Sequence, residues 1–313
     1  DGIELNFGCP HGMCERGMGA AVGQQPAVIE KITGWVMEAA TIPVIVKLTP
    51  NITDVTMAGR AARRAGADAI SLINTINSIT NVNLDTFVPE PMVRGLSSHG
   101  GYCGPAVKPI ALNMVQACAA DPDVGLPISG IGGIASWRDA AEFIALGATS
   151  LQVCTAIMHY GFRIVEDMND GLNAYLDAKG MKSLADLRGK SVNTLQKWEN
   201  LDLHWQRVAR IDYEKCIGCN LCYIACEDGA HQCIDLKSPD ELKVGLGPGR
   251  VPHKPVPKVR EEDCVGCNLC SLVCPVDDCI TMTVIENGQP PMTWSDYQTK
   301  LAKGEMQPIP PHP

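Results

Sequence analysis

The 313 residues carry 26 lysines and arginines against 35 aspartates and glutamates, a formal charge of −9 that argues against a nucleic-acid partner. With 45% hydrophobic and 19% charged residues the composition is that of a folded chain, long enough for one large domain and one small one. No apolar run approaches the roughly 18 residues of a membrane span, and no signal-peptide pattern opens the chain.

The chain starts directly on a strand pattern, Ile3–Phe7, with no initiator methionine, so further structural units are expected upstream of Asp1. Strands are then predicted at Val44–Leu48, Ala69–Ile73, Pro127–Gly130 and Ser150–Val153. Helical patterns fall at Pro26–Ala40, Val55–Ala65, Pro105–Ala119, Ser136–Leu146 and Gly161–Ala178. Such alternation builds βα units on a parallel sheet. Polar or glycine-rich residues follow nearly every strand: Gly8-Cys9-Pro10, Thr49-Pro50-Asn51, Asn74-Thr75, Ile131-Gly132-Gly133 and Cys154-Thr155. Strand carboxyl ends form the ligand-binding rim of a (β/α)8 barrel and of a doubly wound sheet alike. We favour an α/β fold in which residues 1–180 are about five C-terminal units of a TIM-type (β/α)8 barrel.

Residues 181–210 read as a polar linker, partly helical at Ser183–Trp198. Residues 211–285 contain an internal repeat, Cys216-x-x-Cys219-x-x-Cys222-x-x-x-Cys226 and Cys264-x-x-Cys267-x-x-Cys270-x-x-x-Cys274. Each run is followed by a Cys-Ile pair, Cys233-Ile234 and Cys279-Ile280, so a duplicated α+β domain with pseudo-two-fold symmetry is expected. Gly245–Pro257 reads as a surface loop, and residues 286–313 as a proline-rich extended tail.

Thiolates spaced three apart let one loop wrap three corners of a [4Fe–4S] cubane. In two-cluster ferredoxins the fourth cysteine of each run ligates the other cluster. One cluster then takes Cys216, Cys219, Cys222 and Cys274, and the other Cys264, Cys267, Cys270 and Cys226. The second run ends in Cys274-Pro275, as the ferredoxin pattern expects, and the first departs with Cys226-Glu227. A pair of zinc sites is the rival reading, disfavoured by the use of these spacings twice. Thiolate ligation in so long a chain points to a reducing compartment, the cytoplasm.

Several rim residues carry their own signals. Gly130-Ile131-Gly132-Gly133 lies between a strand and a helix, where backbone N–H groups and the helix dipole suit a phosphate; Cys154-Thr155 on the next loop would share it. A plain turn is the bland alternative. Lys47 ends an apolar strand, either snorkelling to solvent or facing the anionic edge of a reduced flavin. Cys9 is either a small core residue or a proton donor, Asn6 can read a carbonyl/N–H edge, and His11 reads as loop solvation.

Together these residues resemble the dihydropyrimidine dehydrogenases, in the subunit that joins a dihydroorotate-dehydrogenase-like FMN barrel to a two-cluster ferredoxin domain. The resemblance runs from Ile3 to about Ile285. It rests on Asn6-Phe7-Gly8-Cys9-Pro10-His11-Gly12-Met13, Lys47-Leu48-Thr49-Pro50-Asn51, Ile73-Asn74-Thr75, Lys108-Pro109-Ile110-Ala111-Leu112 and Leu151-Gln152-Val153-Cys154-Thr155. It implies Cys9 as the acid, on a loop that closes over substrate, and Asn6, Asn74 and Thr75 as hydrogen-bond partners of a pyrimidine. Lys47 would stand beside the flavin, with Gly101, Gly132, Gly133, Cys154 and Thr155 around the FMN tail and phosphate. Gly8 stands where some relatives have serine, which removes one hydroxyl contact.

The implied chemistry is hydride transfer to C6 of uracil or thymine with protonation of C5 by Cys9. No G-x-G-x-x-G fingerprint is present, so oxidation of NAD(P)H is expected on an FAD-bearing partner subunit of a hetero-oligomer. The alternatives are another FMN barrel oxidoreductase, such as a dihydroorotate dehydrogenase fused to a ferredoxin domain, and a ferredoxin-like electron carrier.

Overall fold

The protein is described by a computed structural model over residues 1–11, 16–229, 231–244 and 255–308. It divides into two compact units, Asp1–Leu195 and Gln196–Pro313. Among the described residues no helix is long and apolar enough to cross a membrane.

In the first unit five parallel strands, Ile3–Asn6, Val44–Lys47, Ala69–Leu72, Ile128–Ile131 and Ser150–Gln152, lie side by side in chain order. A doubly wound sheet reverses its order at a switch point. Here the order never reverses, as in an arc of a (β/α)8 barrel. Register sorts the two faces. Asn6 lies opposite Lys47, Lys47 opposite Ser71, and Ser71 opposite Ser129, so polar side chains share one face. On the other face Val44, Val46, Ile70, Leu72 and Ile128 are at most 2% exposed, packed under the helices.

The helices form where side chains cap them. Asp54 accepts from the Thr56 N–H ahead of Val55–Arg64, and Ser136 accepts from the Asp139 N–H ahead of Trp137–Ala145. Pro26 opens Pro26–Ala39, where a missing N–H costs nothing. A 3-10 turn, Pro105–Val107, leads into Lys108–Ala120, and a short helix, Thr155–Tyr160, precedes Ile164–Ala178. Phe143 is fully buried, and Gly130 leaves room for it, since a Cβ there would lie 2.7 Å from the ring. Residues 76–102 leave the sheet in three short antiparallel pairs, Ile76–Ser78 with Gly100–Tyr102, Asn81–Asn83 with Val88–Glu90, and Met92–Val93 with Leu96–Ser97.

In the second unit Gln206–Ile211 pairs antiparallel with Ile280–Ile285, and Ile234–Lys237 with Val256–Val259. The strand before the first cysteine run thus pairs with the strand after the second, and the reverse, as a duplicated half-domain requires. Each run turns through Gly218 or Gly266 at φ near +70° and then a left-handed Asn220 or Asn268, which opens the helix Leu221–Asp228 or Leu269–Leu272.

Two expectations change. The strand Gln206–Ile211 begins within the span read as linker, and the division between units falls after Leu195. Ser183–Trp198, read as partly helical, holds the helix Leu184–Leu187 and a 3-10 turn at Val192–Thr194. The tail read as extended contains the helix Trp294–Ala302: Thr293 and Asp296 form a capping box, Tyr297 is buried, and the Trp294 ring lies 5.6 Å from that of Trp198. Most of the loop expected at Gly245–Pro257 lies outside the described residues.

Candidate active site and cysteine cages

At the carboxyl ends of the five strands a cavity of about 270 Å³ is lined by Asn6, Lys47, Asn74, Thr75, Gly132, Gly133, Cys154 and Thr155. Eight of the ten residues expected around flavin and substrate therefore share one cavity. Cys9 and Gly101 stand outside its lining, joined through His11.

Lys47 is not free to snorkel. Its Nζ lies 3.0 Å from Glu4 Oε1 and 3.0 Å from Gln152 Oε1. Glu4 Oε2 in turn accepts from Ser71 Oγ and Gln152 Nε2, both at 2.8 Å, and Gln152 also reaches Ser129 at 3.2 Å. Burial pushes the Glu4 carboxyl up, but the hydrogen bonds from Gln152, Lys47 and Ser71 outweigh it and hold the carboxyl below its ordinary range. Sequence reading passed over Glu4 and Gln152. Their signal was two polar residues on the same strand face as Asn6, Lys47 and Ser71.

Asn6 and Asn74 are oriented by each other. Asn6 Oδ1 accepts from Asn74 Nδ2 at 2.8 Å and from the Gly8 N–H at 3.1 Å. Asn74 Oδ1 accepts from the Thr75 N–H at 2.8 Å, while Asn51 Nδ2 donates to the Thr75 carbonyl at 3.1 Å. Gly8 permits this arrangement, because a Cβ there would lie 2.7 Å from Asn74 Nδ2. A serine at this position would displace Asn74.

His11 was read as loop solvation, yet its Nε2 accepts from the Gly101 N–H at 3.3 Å and its Nδ1 lies 3.7 Å from Cys9 Sγ. An acceptor Nε2 leaves the ring proton on Nδ1, aimed at the sulfur. Gly101 therefore bears on His11 rather than on the glycine turn, and its lack of a side chain lets Thr75 and His11 approach.

The glycine turn packs closely. Gly132 and Gly133 have φ of 134° and 76°; a Cβ on Gly133 would lie 2.7 Å from the Gly104 carbonyl and 3.0 Å from the Lys108 N. Asp139 ties the following helix to this turn, accepting from Lys108 Nζ at 2.6 Å and the Ala135 N–H at 3.0 Å. A side-chain-free cradle, a lysine at a strand end and a polar row between them fit FMN.

In the second unit Cys216, Cys219, Cys222 and Cys274 line one cavity, and Cys226, Cys264, Cys267 and Cys270 another. Each set combines three cysteines of one run with the last of the other. Among the described residues no three His, Cys, Asp or Glu side chains close on a single ion. The thiols surround space instead, which fits a polynuclear cluster. Burial pushes the free Cys222 thiol up to about 12 and that of Cys270 up to about 11, so ligation must displace their protons.

Comparison with known proteins agrees with this division. Residues 1–176 match the dihydroorotate dehydrogenase family, and residues 209–282 match the 4Fe-4S dicluster domain. The PreA subunit of an NAD-dependent dihydropyrimidine dehydrogenase from Escherichia coli K12 is 48% identical over 236 residues, 75% of this chain and 57% of the relative. A chloroplastic NADP(+) dihydropyrimidine dehydrogenase of Arabidopsis thaliana is 42% identical over 61% of this chain and 46% of its own length. The catalytic subunit of dihydroorotate dehydrogenase B from Pyrococcus horikoshii is 41% identical over 60% of this chain and 59% of its own. The chain thus spans less than two thirds of the length of these relatives. With the family match extending over more than half of its residues, the chain belongs to the dihydroorotate dehydrogenase family of oxidoreductases and carries a 4Fe-4S dicluster domain after the family segment.

Proposed function

We propose that the chain reduces the 5,6 double bond of uracil or thymine at the strand-end cavity, with Cys9 as general acid. The observation that carries this reading is the Asn6–Asn74 pair held 2.8 Å apart on the same cavity as Lys47. Amides offer both donors and acceptors, which suits a ring edge of alternating C=O and N–H groups. Among the described residues the only ammonium or guanidinium lining the cavity is that of Lys47, already paired with Glu4. That neutral balance favours uracil or thymine over orotate, whose carboxylate would want an unpaired cation.

FMN, when bound, supplies hydride to the pyrimidine. Gly132, Gly133, Cys154 and Thr155 would hold its phosphate end and Lys47 its ring edge. Cys9 gives its proton to the ring carbon opposite the incoming hydride, and the Nδ1–H of His11 stabilises the thiolate left behind. Asn6 and Asn74 fix the ring against those groups and stabilise charge developing on its carbonyl oxygen.

The two cages would hold [4Fe–4S] clusters, which carry single electrons. Their source is NAD(P)H oxidised on an FAD-bearing partner subunit, in a hetero-oligomer of the reducing cytoplasm. Steady-state assays with a reduced dye and uracil, thymine or orotate test the reading. Turnover of uracil or thymine supports it, and turnover of orotate without uracil overturns it in favour of a dihydroorotate dehydrogenase.

A further inference from the structure

Two buried cysteines of the second unit belong to neither ligand set. Cys233 and Cys279 hold equivalent places in the repeat and are 4% and 2% exposed. Each lines one cage.

The pair differs in its other contacts. Cys279 Sγ lies 3.6 Å from the Asp212 carbonyl oxygen, a stronger acceptor than sulfur. Cys233 Sγ lies 3.5 Å from Cys226 Sγ, and the Cys233 N–H donates to that same sulfur at 3.3 Å. One residue therefore directs two donors at Cys226, whereas the thiol of Cys279 is drawn off to the backbone.

Hydrogen bonds to ligand sulfurs stabilise the more negative, reduced cluster and raise its potential. We propose that Cys233 is a positioning residue, not a ligand: it donates its S–H to the Cys226 sulfur in the cage formed by Cys226, Cys264, Cys267 and Cys270, and sets that cluster's potential above that of its twin. Two clusters built from a sequence repeat thereby become inequivalent. The inference rests on the cages holding [4Fe–4S] clusters and is independent of the pyrimidine reading.

Redox titration of the cluster-loaded protein, followed by EPR, tests it on the unmodified chain, Cys233→Ala, Cys233→Ser and Cys279→Ala. Iron and sulfide content of the unmodified sample separates failure of the cluster reading from failure of this one. Cys233→Ala is expected to move one midpoint to more negative potential and leave the other in place, with up to about a tenfold loss in that cluster's reduction equilibrium, about 59 mV for one electron. Cys233→Ser keeps an O–H donor and stays nearer the unmodified value, and Cys279→Ala moves its cluster less. Should the alanine cavity cost the cluster, Cys233→Val fills that cavity without restoring a donor and carries the same expectation. Unchanged midpoints in the donor-free variants, or a Cys279→Ala shift as large as that of Cys233→Ala, overturn the proposal.

Discussion

Replacing Glu4 by glutamine removes the charge that holds Lys47 while keeping the side chain's length. At an effective dielectric near 20, unit charges 3.0 Å apart attract by about 5 kcal/mol, and desolvation of both groups offsets much of that. Breaking a fully buried pair costs roughly 3–5 kcal/mol and an exposed one about 0–1. The side chains of Lys47 and Glu4 are 16% and 31% exposed, which places this pair between those limits, at about 2 kcal/mol. The glutamine NH2 would also face either the Lys47 ammonium or the Gln152 NH2, both of them donors, adding to the loss. For a unit of this size the cost lowers the melting temperature by about 4–8 °C. Differential scanning calorimetry of Glu4→Gln, Lys47→Met and the double variant reads both the cost and the coupling. A Glu4→Gln transition within about 1 °C of the unmodified protein, or single effects that add within about 0.3 kcal/mol, refutes the network as described.

Gly133→Ala places a Cβ 2.7 Å from the Gly104 carbonyl at a φ of 76°, so the flavin-to-protein ratio should fall while iron content stays. Burial raises the Asp139 carboxyl, but bonds from Lys108, the Ala135 N–H and Ser136 outweigh it and hold it below its ordinary value. Its contribution, about 1–2 kcal/mol, is therefore fully present above the unfolded pKa of about 3.9 and is lost as pH falls through the lower folded value. Urea denaturation should show Asp139→Asn less stable at pH 7, with the gap to the unmodified protein closing in acid; a constant gap contradicts the assignment. Gly8→Ser should raise KM for uracil more than it lowers kcat, because the new Cβ displaces Asn74 from Asn6.

Local pattern made the cysteine cages and the chain-ordered sheet legible. Fixed spacing dictates which thiols one loop can present, and apolar runs alternating with capped helices dictate parallel βα order. The contacts that matter at the rim come from register, which no local pattern encodes. Glu4 and Gln152 are 148 residues apart, and only the stacking of the first, second and fifth strands brings both to Lys47. His11 seemed an ordinary loop residue until the chain returned at Gly101, 90 residues on. Residues 76–102 escaped because strands of two or three residues carry no measurable period. The helix at Trp294–Ala302 was missed for another reason: the prolines on either side outweighed a readable capping box, Thr293 with Asp296.

The proposed reduction turns on a proton given by Cys9 to a pyrimidine bound at this rim. Dihydrouracil formation from uracil, driven by a reduced dye and compared between the unmodified holoenzyme and Cys9→Ala, tests it most directly. Product is expected from the unmodified enzyme and a rate at least about 100-fold lower from the variant, with flavin and iron content retained. Near-unmodified turnover by Cys9→Ala would contradict it.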